Sequence, residues 1–151
     1  MGSRGKAGTI YTIGSSTRAF SEFLELLRMY EIATLVDVRI SPYSKRFPHF
    51  SKQSLEELLP SQTVGYVYLG KELGGYRREG YEAYMQSAKF ARGIEALEAV
   101  GQGAAAAFMC SERLPWKCHR RFIASALERR GWRVIHIIEK DRTWEPQSAS
   151  E

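Results

Sequence analysis

Ala104-Ala105-Ala106-Ala107-Phe108-Met109-Cys110-Ser111-Glu112-Arg113-Leu114-Pro115-Trp116-Lys117-Cys118-His119-Arg120-Arg121 is the stretch from which the rest of the chain is read. Its first six residues, Ala104 to Met109, are an unbroken apolar run and read as a buried strand. Pro115 bends the loop that follows. Beyond it Phe122, Ile123, Ala126 and Leu127 recur at helical spacing, and Gly131 stands where a helix end wants a left-handed residue. The segment is therefore strand, loop, helix, with Cys110 at the strand end and Cys118 and His119 opening the helix. The first turn of a helix carries unpaired N–H groups and partial positive charge, which favour a thiolate or an anion. Arg120 and Arg121 stand in that same turn against the dipole. A negative group is therefore expected beside them, a protein carboxylate or a bound phosphate.

The same alternation runs outward in both directions. Toward the N-terminus, Thr9–Ile13 is a short strand ended by Gly14-Ser15-Ser16, and Phe20, Phe23, Leu24 and Leu27 give a helix to about Tyr30. Thr34–Arg39 is a second strand, and Ser41-Pro42 breaks it. Ser51 is a suitable N-cap for a short helix ended by Pro60, with Phe50 and Leu55 placed as a hydrophobic staple. Gly65–Leu69 is a third strand, followed by a polar, glycine-rich loop from Gly70 to Arg78. Tyr81, Tyr84, Met85 and Ala88 begin a helix continuing through Phe90, Ile94 and Leu97. Toward the C-terminus, Arg133–Ile138 is a fifth strand. This βαβαβαβαβ order specifies an α/β fold: one three-layer domain over residues 9–141, with a mostly parallel five-stranded sheet and helices on both faces. Residues 1–8 and 142–151 are expected to be flexible tails, with Trp144 able to tuck back onto the core.

Composition narrows the function. No apolar run approaches the roughly 18–20 residues that cross a bilayer, and no apolar segment follows the basic start, so neither membrane insertion nor a signal peptide is expected. Two cysteines do not make a disulfide scaffold, which points to a reducing cytoplasm. A net charge of +5 and a pI near 9.3 suit an anionic partner, nucleic acid or a nucleotide. Ligands of open α/β sheets bind outside the carboxyl ends of the strands. Ten of the 22 basic residues fall in those loops: Arg39, Lys45, Arg46, Lys71, Arg77, Arg78, Arg113, Lys117, Arg120 and Arg121. The anion-site candidates are thus Ser15, Arg39, Lys45, Glu72, Arg77, Arg78, Glu112, Arg113 and Arg120. The plain alternative is a solvated rim, with Arg39 paired to Asp37 or Glu112.

Four residues carry candidate chemistry. Asp37 is a general base or a loop-capping carboxylate. Cys110 and Cys118 are thiolate nucleophiles or small buried hydrophobes, and Cys118 holds the better thiolate position. His119 is a base, a ligand or a phosphate donor. Metal binding by Cys110, Cys118 and His119 needs a fourth ligand such as Asp37 or Glu112, and the cysteine spacing matches no standard zinc pattern, so neither metal nor cofactor is expected.

Five ordered motifs carry a resemblance: Thr12-Ile13-Gly14-Ser15-Ser16, Leu35-Val36-Asp37-Val38-Arg39-Ile40-Ser41-Pro42, Glu72-Leu73-Gly74-Gly75, Met109-Cys110-Ser111-Glu112 and Cys118-His119-Arg120. Together they resemble the domain of unknown function 488 family, over about Thr9 to Ile138. The resemblance implies an α/β domain of this size and supplies no reaction. The family usually has His where this chain has Ser15, so a role carried by that His would be missing here. Asp37-Val38-Arg39 after a strand, with a cysteine opening a loop into a helix, is also similar to rhodaneses and cysteine phosphatases, although Ser111-Glu112-Arg113 and Pro115 depart from their signature. Three readings follow: an enzyme on nucleic acid or a nucleotide-like phosphate with Asp37 or His119 handling a proton; a cysteine-thiolate transferase moving sulfur or a phosphoryl group; and a non-catalytic nucleic-acid-binding module.

Overall fold

The structure, a computed structural model, describes residues 8–146. One sheet holds β1 (Gly8–Gly14), β2 (Thr34–Asp37), β3 (Gly65–Tyr68), β4 (Ala106–Cys110), β5 (Trp132–Glu139) and β6 (Arg142–Trp144), in the order β3-β2-β4-β1-β5-β6. β1 to β5 are parallel, and β6 runs antiparallel to β5. The helices are α1 (Phe20–Met29), α2 (Lys52–Ser61), α3 (Gly70–Leu73), α4 (Tyr81–Tyr84), α5 (Ala88–Gly103) and α6 (Arg120–Arg129).

The two-residue period of the strands divides the core into two layers, one on each face of the sheet. On β4, Ala107 and Met109 join Phe23, Leu27, Leu55 and Leu59 beneath α1 and α2. Phe108 and Cys110 join Phe90, Ile94, Leu97, Ile123 and Leu127 beneath α5 and α6. Both faces of the sheet are covered, which is why its strands are continuous apolar runs.

Several sequence expectations are corrected. The sheet has six strands, not five, because the chain turns at Lys140-Asp141 and brings Arg142–Trp144 back along β5. Three residues give no periodicity to read. The hairpin is held by an Arg133–Glu145 ion pair, and the Trp144 ring packs 5.3 Å from that of Trp116. The expected tails keep residues 1–7 and 147–151 outside the described residues; Gly8 belongs to β1 and Arg142–Trp144 to β6. The single helix expected from Tyr81 to Leu97 is two helices, because the Ser87 hydroxyl caps α5 by accepting the Phe90 N–H. The glycine-rich loop contains the one-turn α3. Ser51 precedes α2, but its hydroxyl accepts the Ser44 N–H and so ties down the β2–α2 loop instead of the helix. Gly131 takes the left-handed conformation expected after α6, with φ of 99°.

The topology decides where a site can form. β4 lies between β1 and β2, and β1 and β4 are neighbours. The chain leaves β1 toward the α1 face and leaves β4 toward the α6 face. Their carboxyl ends therefore open a crevice, the position at which parallel sheets bind ligands. The ladder continues past both strands, with Ser15 N–H on the Cys110 carbonyl and Ser16 N–H on that of Ser111, each at 2.9 Å. A Cβ on Gly14 would come to 2.0 Å from the Glu112 carbonyl oxygen, so only glycine lets the two loops meet.

Candidate thiol site

A cleft of about 620 Å³ opens over this crevice. Ser15, Ser16 and Thr17 line it from the loop after β1, and Arg39, Ile40, Ser41, Tyr43, Ser44, Phe47 and Phe50 from the segment after β2. Gly75 and Tyr76 contribute from the loop after α3. Cys110, Ser111, Glu112, Arg113, Cys118 and His119 line it from the segment between β4 and α6. Tyr43 and Tyr76 are 74% and 81% exposed and stand at its open side.

The floor is the cysteine pair. Cys110 is buried at the last position of β4, and Cys118 is half-buried just before α6; both are free thiols. Their Sγ atoms are 2.7 Å apart, so one sulfur donates to the other. Cys118 Sγ also accepts the Arg120 backbone N–H at 3.2 Å, capping the helix, and lies 3.8 Å from His119 Nδ1. The His119 tautomer follows from its other nitrogen. Nε2 is 3.0 Å from the Val38 carbonyl, which can only accept, so Nε2 carries a hydrogen and Nδ1 faces Cys118 Sγ, placed to take and hold its proton. A Cβ on Gly75 would reach 2.7 Å from that Nδ1, so the loop after α3 closes against the imidazole only as glycine.

Arg120 binds the two sulfurs to the fold. Its side chain is fully buried. Nε donates to Cys110 Sγ at 3.1 Å, one terminal nitrogen to Thr12 Oγ1 at 2.8 Å, and the other to the Glu112 and Arg113 carbonyls at 2.6 and 3.2 Å. Thr12 Oγ1 also shares a hydrogen with His136 Nδ1, 2.7 Å away. The carboxylate or phosphate expected beside the cationic first turn of α6 is not what Arg120 meets: its guanidinium donates to a cysteine sulfur, a hydroxyl and two backbone carbonyls. Arg121 turns outward to the Trp116 carbonyl and the Phe122 ring. Burial and the bond to Cys118 hold the Cys110 thiol well above the ordinary range. Donation from Cys110, then the His119 contact and the Arg120 charge, hold Cys118 well below it against the opposing effect of burial. The two directions favour Cys118 over Cys110 as the sulfur that carries the charge when one of the pair is deprotonated.

The other sequence candidates divide. Ser15, Arg39, Glu112 and Arg113 line the cleft with the cysteines and His119. Asp37 does not. It is fully buried and accepts Arg39 N–H at 3.1 Å, Arg39 Nε at 2.8 Å, Arg39 terminal nitrogen at 2.7 Å and the Tyr66 hydroxyl at 2.5 Å. Its lone pairs hold the loop after β2 in place. Glu72 backs onto α5 at Gly93, and its carbonyl accepts from Tyr84. Arg77 donates to the Gly74 and Lys71 carbonyls and lies 3.8 Å over the Tyr84 ring. Lys45 and Arg78 are exposed and outside the cleft lining, and Arg113 pairs with Glu139. Among the described residues no group of three or more His, Cys, Asp or Glu is placed to hold a metal ion, and no helix is long and apolar enough to cross a membrane.

Sequence reasoning missed Thr12, His136 and Arg18. Arg18 is buried and bonds the carbonyls of Gly14 and Ile138, tying the turn after β1 to the end of β5. An arginine on the polar side of an amphipathic segment gives no sign that it turns inward. Thr12 and His136 were visible only as polar interruptions of two strands that the structure pairs directly, Thr12 opposite His136.

These features define a class: a parallel α/β domain with paired thiols at the carboxyl end of its central strands. A family model described as domain of unknown function DUF488 matches residues 19–127. The chain belongs to the DUF488 family, as its five motifs imply. Neither the curated proteins nor the solved structures gave a significant match.

Proposed function

We propose that this protein is a cysteine-dependent transferase in which the Cys118 thiolate attacks a substrate held in the cleft, taking a sulfur or phosphoryl group onto Sγ. The observation that carries the reading is the Cys118 environment. Its sulfur faces the cleft and meets three groups that favour the anion: the Cys110 thiol, the Arg120 N–H at the start of α6, and His119. A buried structural cysteine needs none of them. Burial raises a thiol pKa, as it does at Cys110 together with the bond to Cys118.

Phosphate recognition by the basic rim has less support. Arg39, Arg77 and Arg120 direct their guanidinium donors to Asp37, to backbone carbonyls and to Cys110. For an enzyme acting on nucleic acid, or a nucleic-acid-binding module, the described residues therefore offer no free buried cation at the cleft floor.

The test is intact-protein mass spectrometry after incubation with thiosulfate and, separately, with p-nitrophenyl phosphate. A sulfane or phosphoryl adduct mapping to Cys118, and absent from Cys118→Ser, is the expected result. Adduct formation that survives Cys118→Ser would contradict the reading, as would a lack of adducts together with ordinary thiol reactivity at Cys118.

A further inference from the structure

Resting on that reading, we infer that Cys110 is the second reacting thiol and that the site takes divalent sulfur, a disulfide or a sulfane, which it reduces as Cys110 and Cys118 become joined. A thiolate that merely forms an adduct does not require another thiol against it. Here Cys110 Sγ lies 2.7 Å from Cys118 Sγ, at the strand end and 3% exposed, while Cys118 opens to the cleft. A group taken up from the cleft therefore leaves the buried side of Cys118 facing Cys110. Closing the pair to the roughly 2.05 Å of a disulfide asks for less than ~1 Å of movement.

After phosphoryl transfer the adjacent thiol has no use, and hydrolysis would need a carboxylate to activate water. Asp37 is fully buried and engaged by Arg39 and Tyr66, Glu72 lies against α5, and of the carboxylates named only Glu112 lines the cleft. Cys110 also has its own activating group. Once Cys118 gives up its negative charge to an adduct, the Arg120 guanidinium, donating to Cys110 Sγ at 3.1 Å, supports the charge on Cys110 instead.

With glutathione disulfide the steps balance. Cys118 thiolate attacks one sulfur, forming the Cys118–glutathione bond and breaking the glutathione S–S bond, with one glutathione thiolate leaving. Cys110 yields its proton to that thiolate and attacks Cys118 Sγ. The Cys110–Cys118 bond forms, the Cys118–glutathione bond breaks, and a second glutathione thiolate leaves. The two protein thiols lose two electrons and glutathione disulfide gains them. With a sulfane donor such as thiosulfate, Cys118 takes the outer sulfur as a persulfide and sulfite leaves; Cys110 then attacks Cys118 Sγ, the disulfide forms, and the outer sulfur leaves as hydrosulfide. Turnover then requires a thiol reductant, a small thiol or a protein dithiol, to return the pair to its reduced form.

The experiment treats the full chain with glutathione disulfide, quenches by acid and maps each cysteine by mass spectrometry, with circular dichroism checking the fold of each variant. The wild type should accumulate the internal Cys110–Cys118 disulfide and release two equivalents of glutathione. Cys110→Ser should stop at a glutathione adduct on Cys118, and Cys118→Ser should lose at least ten-fold in rate of adduct formation. A wild type that stops at the Cys118 adduct with Cys110 still free overturns the inference while leaving Cys118 as nucleophile. Failure of either cysteine to react in the folded protein overturns both readings. If Cys110→Ser does not fold, Cys110→Ala and the wild-type mapping decide the outcome.

Discussion

Arg120 is the largest fully buried side chain in the described structure, and its surroundings separate a structural from a ligand-binding role. Its donors meet Cys110, Thr12 and two backbone carbonyls. Arg120→Ala should therefore cost about 3–5 kcal/mol in urea unfolding, the range for removing one partner of a buried charged pair. The salt dependence of any nucleic-acid binding should not change. The same range applies to Asp37→Asn, which leaves Arg39 buried against an uncharged partner. His136 gives a pH prediction of unusual sign. Burial, then the Arg120 charge, push its pKa down to about 3, whereas the unfolded chain has the reference value of about 6.5. Between those values the unfolded state holds the extra proton, so stability falls as pH drops from about 6.5 toward 3 and gains nothing above 6.5. The slope contributed is at most about 1.4 kcal/mol per pH unit. His136→Asn can place an amide group where Nδ1 meets Thr12, so its thermal melts should lose this slope between pH 6.5 and 4.

At the scale of elements, the loop between α3 and α4 positions the reactive pair although it contributes no reacting atom. Gly75→Ala puts a methyl group 2.7 Å from His119 Nδ1. The imidazole must shift, and iodoacetamide labelling of Cys118 near pH 6.5 should slow several-fold while the thermal midpoint moves little. That loop also marks the limit of what the sequence disclosed. Long apolar runs with breakers, such as Thr34–Asp37 and Ala106–Cys110, identified the parallel strands because both faces of each are buried. Arg142–Trp144 escaped notice because pairing, not pattern, makes it a strand. The carboxyl-end rule brought Cys110, Cys118, His119, Ser15 and Arg39 to one cleft. It failed for Glu72 and Arg77, because a one-turn helix at Gly70–Leu73 turns the loop toward α5. It also could not say which arginines point inward, since Arg18 and Arg120 have stems long enough to reach backbone carbonyls that sequence does not locate.

For the whole molecule, the +5 charge and the thiol pair lead to different expectations. A general basic surface attracts nucleic acid weakly, and salt screens it. The pair is local, shielded and independent of that field. The central claim is that Cys118 rests as a thiolate because Cys110, His119 and the start of α6 hold it there. Site-resolved alkylation by iodoacetamide from pH 4 to 10 measures this most directly. The account predicts that Cys118 reacts selectively, that its rate has levelled off well below the roughly 8.5 of a free thiol, and that Cys110 in the folded protein stays unlabelled. Equal, slow labelling of both cysteines, with rates still climbing through pH 8.5, would contradict it.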